Sequence, residues 1–169
     1  NRILVHRDVI DEFGRRLTER MAALTVGNGV DDDVDVGPLV EEKALDKVDG
    51  LVSDAVTRGA EVLTGGTRPD GPGFFYPPTV LTGVSPESEL MSTEIFGPVA
   101  ALIPFDTDDE AVELANDTEF GLVSYVMTED LDRALTMSER LQAGMVGVNV
   151  GVVSNPAAPF GGIKQSGLG

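Results

Sequence analysis

Val99-Ala100-Ala101-Leu102-Ile103-Pro104-Phe105 is a run without a charge or a hydrogen-bonding side chain. A half-buried strand alternates apolar and polar residues. This run does not, so it reads as a strand buried on both faces, which is the habit of parallel sheets covered by helices. Directly after it, Asp106-Thr107-Asp108-Asp109 supplies side-chain acceptors for the first turn of a helix expected to last to about Ala115.

Working back towards the N-terminus, Phe74 to Leu81 is an extended segment. The paired Pro77-Pro78 cannot donate to a ladder, so at best an edge or irregular strand is expected there. Before it lie a Gly/Pro-rich loop, Arg68 to Gly73, and a short strand, Ala60 to Thr64, closed by Gly65-Gly66. A helix is expected from near Leu39 to Arg58-Gly59, with Ala44, Val48, Leu51, Val52 and Ala55 inward. Another is expected over Arg7 to Leu24, where Val9, Phe13, Leu17, Met21 and Leu24 recur at helical spacing.

Working forward, Leu122 to Met127 reads as a strand, and Thr128 or Asp130 as the cap of a helix carrying Leu131, Ala134, Leu135 and Leu141 inward. Gly144 to Asn149 is the last clear strand. Strands alternating with helices predict an α/β fold, a three-layer sandwich with parallel neighbouring strands, in one domain over residues 1–169.

The net charge of -17 and pI near 4.1 argue against a nucleic-acid partner, whose phosphates would be repelled. The acidic run Asp31-Asp32-Asp33, with Asp35, reads as a solvated loop. The same acid excess, set against Lys43, Lys47 and Lys164 alone among lysines, also suggests adaptation to high salt. No apolar run is long enough to span a bilayer, and no membrane partner is expected. There is no cysteine, which excludes disulfides and thiol nucleophiles within these residues. A cytoplasmic, cofactor-using protein fits that usage best. His6, the single histidine, cannot form a histidine metal cluster alone and is expected at the surface.

Three segments stand out by their composition. Glu94-Ile95-Phe96-Gly97-Pro98 puts a carboxylate and an aromatic on a rigid turn before the buried strand. The carboxylate can accept ligand hydroxyls and the ring can shield a flat group; the plainer alternative has Phe96 plugging the core. Asn116-Asp117-Thr118-Glu119-Phe120-Gly121-Leu122 joins a helix to a strand and reads as a segment that sets geometry. From Asn149 to Gly169 a strand gives way to a long loop of small residues, including Val153, Ser154 and Pro159-Phe160-Gly161-Gly162. That composition suits the wall of a ligand cleft or, alternatively, a surface Ω-loop.

In order and spacing, the three together resemble the aldehyde dehydrogenase superfamily, with its Glu-x-Phe-Gly-Pro, Asn-x-Thr-x-Phe/Tyr-Gly-Leu and Pro-Phe-Gly-Gly-x-Lys-x-Ser-Gly segments. The resemblance covers the whole chain, and Asn1 to His6 looks like the strand that follows the catalytic cysteine in that family. It implies that Glu94 hydrogen-bonds the nicotinamide ribose of NAD or NADP and that Phe96 packs near the nicotinamide ring. It also implies that Phe160 lines the aldehyde pocket, with Val153 and Ser154 on the neighbouring loop. Val153 to Phe160 looks most like succinate-semialdehyde dehydrogenases, in which a serine at the place of Ser154 helps hold the distal carboxylate of a small aldehyde substrate.

The activity so implied is aldehyde oxidation to the acid through a cysteine thioester, with hydride passing to nicotinamide and a glutamate-activated water releasing the product. No catalytic residue lies in this chain on that reading, since the cysteine and the general-base glutamate are expected upstream of Asn1. The chain is then the C-terminal part of the catalytic domain, inert alone, and homo-oligomeric as a dimer or tetramer when full length. A pseudoenzyme or interaction module that keeps the fold, or a dehydrogenase for another aldehyde, is the alternative.

Overall fold

The computed structural model describes residues 2–169. The chain divides into two compact units, the first running to Phe105 and the second from Asp106 to Gly169. In the first, β1 (Ile3–His6) leads directly into α1 (Arg7–Ala22), followed by α2 (Glu42–Thr57), β2 (Glu61–Thr64), β3 (Thr79–Thr82) and β4 (Val99–Phe105). One four-stranded sheet of order β1-β4-β3-β2 results. The β1–β4 pair is parallel in register Ile3 with Leu102 to His6 with Phe105, and β3–β4 is parallel from Thr79 opposite Val99. The β2–β3 pair is antiparallel, with an irregularity between Val62 and Thr64.

The seven-residue run is β4, and it lies between two partners with both faces buried, as its lack of alternation requires. On one face Val5, Val80, Ala100 and Leu102 form a core closed by Ile10, Leu17 and Met21 of α1 together with Leu63. The other face, reached by the opposite parity, carries the fully buried Leu81 and Ala101 with Ile103. Helix α2 buries Leu45, Val48, Leu51, Val52 and Ala55. The fold is α/β with a predominantly parallel sheet, as expected from the alternation of elements.

Two expectations are corrected in this unit. First, β3 is an interior strand and not an edge or irregular one, because it starts at Thr79, just past Pro77-Pro78, so the prolines withhold no ladder donor. Second, the first half of α1 turns a different pair inward: Val9 and Phe13 are exposed, and Ile10 and Gly14 face the sheet, while Leu17 and Met21 do so as expected and Leu24, past the helix end, is exposed. Gly14 is buried there against Leu63 and Leu102. His6 does more than occupy surface. Its Nδ1 accepts from the Asp8 amide at the start of α1, and its ring stands edge-on to Phe105 at 5.4 Å.

The second unit contains α3 (Asp108–Asn116), β5 (Phe120–Gly121), β6 (Val123–Val126), α4 (Leu131–Arg140), β7 (Met145–Val148) and β8 (Ile163–Lys164). Thr107 caps α3 by accepting the Glu110 amide, and Glu110 accepts the Asp106 amide in return. Of the two candidates for α4, Asp130 is the cap, accepting from the Arg133 amide at 2.9 Å. Strands β6 and β7 pair in parallel, and β5 and β8 antiparallel. Ala134 and Leu141 are buried as expected, but Leu131 and Leu135 are exposed, on a face of α4 turned away from β6 and β7. No helix among the described residues is long and apolar enough to cross a membrane.

Candidate functional site

The turn before β4 is built around Ile95, which is buried at 2% exposure and anchors the segment in the core of the first unit. The residues on either side then point outward. Glu94 is exposed, and Phe96 is 73% exposed with a backbone φ of 53°. A bulky residue in that region is strained and persists only where its surroundings fix it. Here they do: Gly97 follows against Val48 of α2, the Val99 amide donates to the Gly97 carbonyl, and the Thr79 amide donates to the Pro98 carbonyl at 2.8 Å. The core-plug alternative for Phe96 is therefore excluded, because Ile95 fills that place. Chemically, the turn presents a hydrogen-bond acceptor and a flat apolar ring two residues apart.

A short 3-10 turn, Glu89–Met91, feeds this loop and is held to α2 by Asp54. The Asp54 carboxylate accepts from the Glu89 amide at 2.8 Å and from Arg58 Nε at 2.7 Å. Those two donors, the amide first, hold its pKa below the usual carboxylate range.

In the second unit the Asn116 segment and the Lys164 segment form one knot. Asn116 ends α3, and its side chain donates to the Arg140 carbonyl and accepts from the Gln142 amide at 2.8 Å. Lys164 Nζ donates to the carbonyls of Asn116 and Thr118 at 2.9 and 3.0 Å, where a cation is favoured by the helix C-terminus. The Gly121 amide donates to Ser166 Oγ, and the Gln165 amide to the Glu119 carbonyl. Gly144 passes directly over Gly161, so close that any Cβ at 144 would collide with the Gly161 carbonyl. The two segments are thus geometric, as the sequence of the first of them predicts.

Between Asn149 and this knot runs the 150–162 loop. Val153 is half-buried and packs against Gly147 of β7, whereas Ser154 is exposed and Phe160 is 59% exposed. Asn155 folds the loop on itself: its side chain accepts from the Ala157 amide and its carbonyl from the Ala158 amide. Glu94 and Phe96 therefore share one loop of the first unit, and Val153, Ser154 and Phe160 share one loop of the second.

The model of the aldehyde dehydrogenase family matches residues 1–169. The chain belongs to the aldehyde dehydrogenase family. An aspartate-semialdehyde dehydrogenase (non-phosphorylating) from Halomonas elongata is 49% identical over all of this chain and 34% of its own length. The crystal structure of a succinate-semialdehyde dehydrogenase from Burkholderia pseudomallei, 46% identical, superposes with a TM-score of 0.96 over 99% of this chain and 35% of its own. An aldehyde dehydrogenase from Bacillus cereus solved as an NAD+ complex matches at 36% identity and a TM-score of 0.93, over 99% of this chain and 34% of its own. This chain therefore spans about a third of the length of the relatives it matches. Aldehyde dehydrogenases use NAD or NADP as cofactor.

Two residues of this aldehyde dehydrogenase chain escaped sequence reasoning, Asn149 and Lys164, both in the left-handed region at φ 52° and 54°. Asparagine at a strand end followed by a glycine-bearing loop is a signal for the first, since Asn tolerates that region better than most residues. Nothing local marks Lys164, whose partners are more than forty residues away in the chain.

Proposed function

We propose that this chain is the C-terminal part of the catalytic domain of an NAD(P)-dependent aldehyde dehydrogenase that oxidises an acid-tailed aldehyde, succinate semialdehyde first, to the carboxylic acid. The observation that carries the reading is the Glu94–Phe96 turn, where strained backbone keeps a carboxylate and an aromatic ring outside the core while Ile95 alone enters it. Those groups suit a nicotinamide riboside: the carboxylate accepts ribose hydroxyls, and the ring lies as a flat apolar neighbour that excludes water. Bound there, the nicotinamide supplies an acceptor for hydride, which no side chain offers. The thiol nucleophile and general base belong, in this reading, to other residues of the full-length enzyme, since this chain has no cysteine.

Ser154 is the group offered to the substrate's distal carboxylate: an exposed hydroxyl donor beside Val152 and Val153, with Phe160 as a wall of the same pocket. The likeness to the Burkholderia pseudomallei succinate-semialdehyde dehydrogenase supports that choice. A second reading, another acid-tailed aldehyde, is favoured by the 49% identity to the Halomonas elongata enzyme, whose named substrate also ends in a carboxylate. The full-length enzyme is read as a homo-oligomer of the cytoplasm, to be checked by light scattering and cell fractionation. A natural short protein that keeps the fold without the chemistry is the remaining alternative. An intact native mass near that of this chain alone would establish it.

The test compares kcat/KM of the full-length enzyme for succinate semialdehyde and acetaldehyde. We expect a clear preference for the acid-tailed aldehyde, reduced about tenfold by Ser154→Ala with acetaldehyde unaffected, the scale of one lost hydrogen bond to a charged group. Equal turnover of both aldehydes defeats the substrate assignment. Glu94→Gln is expected to raise the KM for NAD(P) and leave that for aldehyde unchanged; unaltered cofactor affinity defeats the role of the turn.

A further inference from the structure

The 150–162 loop is bracketed by the two non-glycine residues of the second unit with left-handed backbone, and each is bonded at two points to backbone outside the loop. At the entrance, Asn149 Oδ1 accepts the Thr128 amide at 2.9 Å while Asn149 Nδ2 donates to the Thr128 carbonyl at 2.8 Å. The Asn149 amide itself donates to the Val126 carbonyl, tying the clamp to the end of β6. At the exit, Lys164 Nζ holds the carbonyls of Asn116 and Thr118 at the end of α3. Its φ of 54° is not one a lysine adopts without compensation, and those two bonds with the β5–β8 pairing supply it.

Between the clamps the loop is supported by the Asn155 turn and the contact of Val153 with Gly147, and next to its exit Gly161 and Gly162 lie against Gly144 and the Gly162 amide donates to the Gly167 carbonyl. Its small residues and prolines place no long side chain into the unit's core. Ser154 thus lies in the stretch whose attachments to the rest of the unit are near the loop's two ends, and Phe160 beside the exit attachment.

We propose that Asn149 and Lys164 act as a pair of positioning residues that fix the 150–162 loop, and with it the aldehyde-binding groups Ser154 and Phe160. The substrate part of this rests on the functional reading above; the clamping part does not. Neither residue touches substrate. They act by holding the loop's ends, so that a hydroxyl and a ring meet the aldehyde without first paying to order the chain.

Glycine is the informative replacement, because it accepts positive φ freely and removes the side-chain bonds without adding backbone strain. In the full-length enzyme, Asn149→Gly and Lys164→Gly are each expected to raise the KM for the acid-tailed aldehyde about tenfold, the order of effect of a sub-ångström to ångström misplacement. The KM for NAD(P) should stay within about twofold, since the cofactor groups Glu94 and Phe96 lie on another loop. Lys164→Arg, which keeps a cation with several donors, should recover part of the loss. Amide hydrogen exchange across 150–162 should accelerate in both glycine variants. Unchanged exchange overturns the clamp. Faster exchange with an unchanged aldehyde KM overturns the positioning role. A wild-type enzyme that turns over no aldehyde defeats the functional reading and the substrate role together, and exchange still decides the clamp.

Discussion

Tyr76 is the largest fully buried side chain of the first unit, and its hydroxyl makes no well-formed hydrogen bond, with the Asp49 carboxylate close by as an acceptor. Burial, with the Asp49 carboxylate close by as a second cause, pushes the phenol well above its usual range, so it stays neutral at any ordinary pH. A buried hydroxyl left unbonded costs the folded state what it lost from water. Tyr76→Phe should therefore be neutral or raise stability by up to about 1 kcal/mol, read from urea unfolding midpoints. A drop of that size would mean the hydroxyl is bonded in solution. Phe96 behaves in the opposite way. As an aromatic before a buried strand it has the composition of a core residue, and only its left-handed backbone, set by the anchor of Ile95 and the close contact of Gly97 with Val48, turns it outward.

Asp54 links two elements, α2 and the 3-10 turn that leads into the Glu94 loop. Because its folded pKa is depressed, the stability it contributes is complete above the ordinary carboxylate value of 3.8 and is lost as pH falls through the lowered one. Glu12 on α1, hydrogen-bonded by Arg15 and Arg16, is held down to about 2 and gives way in the same direction between 4.5 and that value. Being exposed, the Glu12 cluster matters less than the Asp54 link. Asp54→Asn should lower the melting temperature by a few degrees at pH 7, and the gap to wild type should narrow as pH falls below 3.8 and the wild-type carboxyl takes up its proton. A gap that is constant with pH would show that charge is not what Asp54 contributes. Helix α1 illustrates the limit of periodicity at this scale: Val9 and Phe13, or Ile10 and Gly14, can each continue the stripe of Leu17 and Met21, and packing against the sheet takes the second pair.

At the scale of the whole chain, 29 acidic residues face 12 basic ones, and the structure shows where the bases are used. Arg58, Arg68, Arg133 and Arg140 pair with Asp54, Asp46, Asp108 and Asp109, while Lys164 is committed to carbonyls. Such exposed pairs are worth little individually, and the uncompensated carboxylates repel one another. Part of the acidic run is structural rather than merely solvated, since Asp35 accepts the Thr25 amide and closes the 25–36 loop. Screening should relieve the repulsion faster than it weakens the pairs. The melting temperature is expected to rise by several degrees between about 0.05 M and 2 M KCl, and a flat or falling response would refute adaptation to salt.

The unalternating run of β4, the turn chemistry and the helix caps were legible in the amino-acid sequence because each depends on residues within a few positions of one another. The α/β class and the family followed from them, the latter through the Glu94, Asn116 and Pro159 segments. Three things were decided by tertiary contact alone: the interior position of β3, the choice between the two pairs in the first half of α1, and the outward turn of Phe96. The clamps at Asn149 and Lys164 belong with these, for their partners are 21 residues away at one end and 46 and 48 at the other. Local preference has no access to such distances; only the folded chain brings a lysine to the end of a helix that precedes it by three strands and another helix.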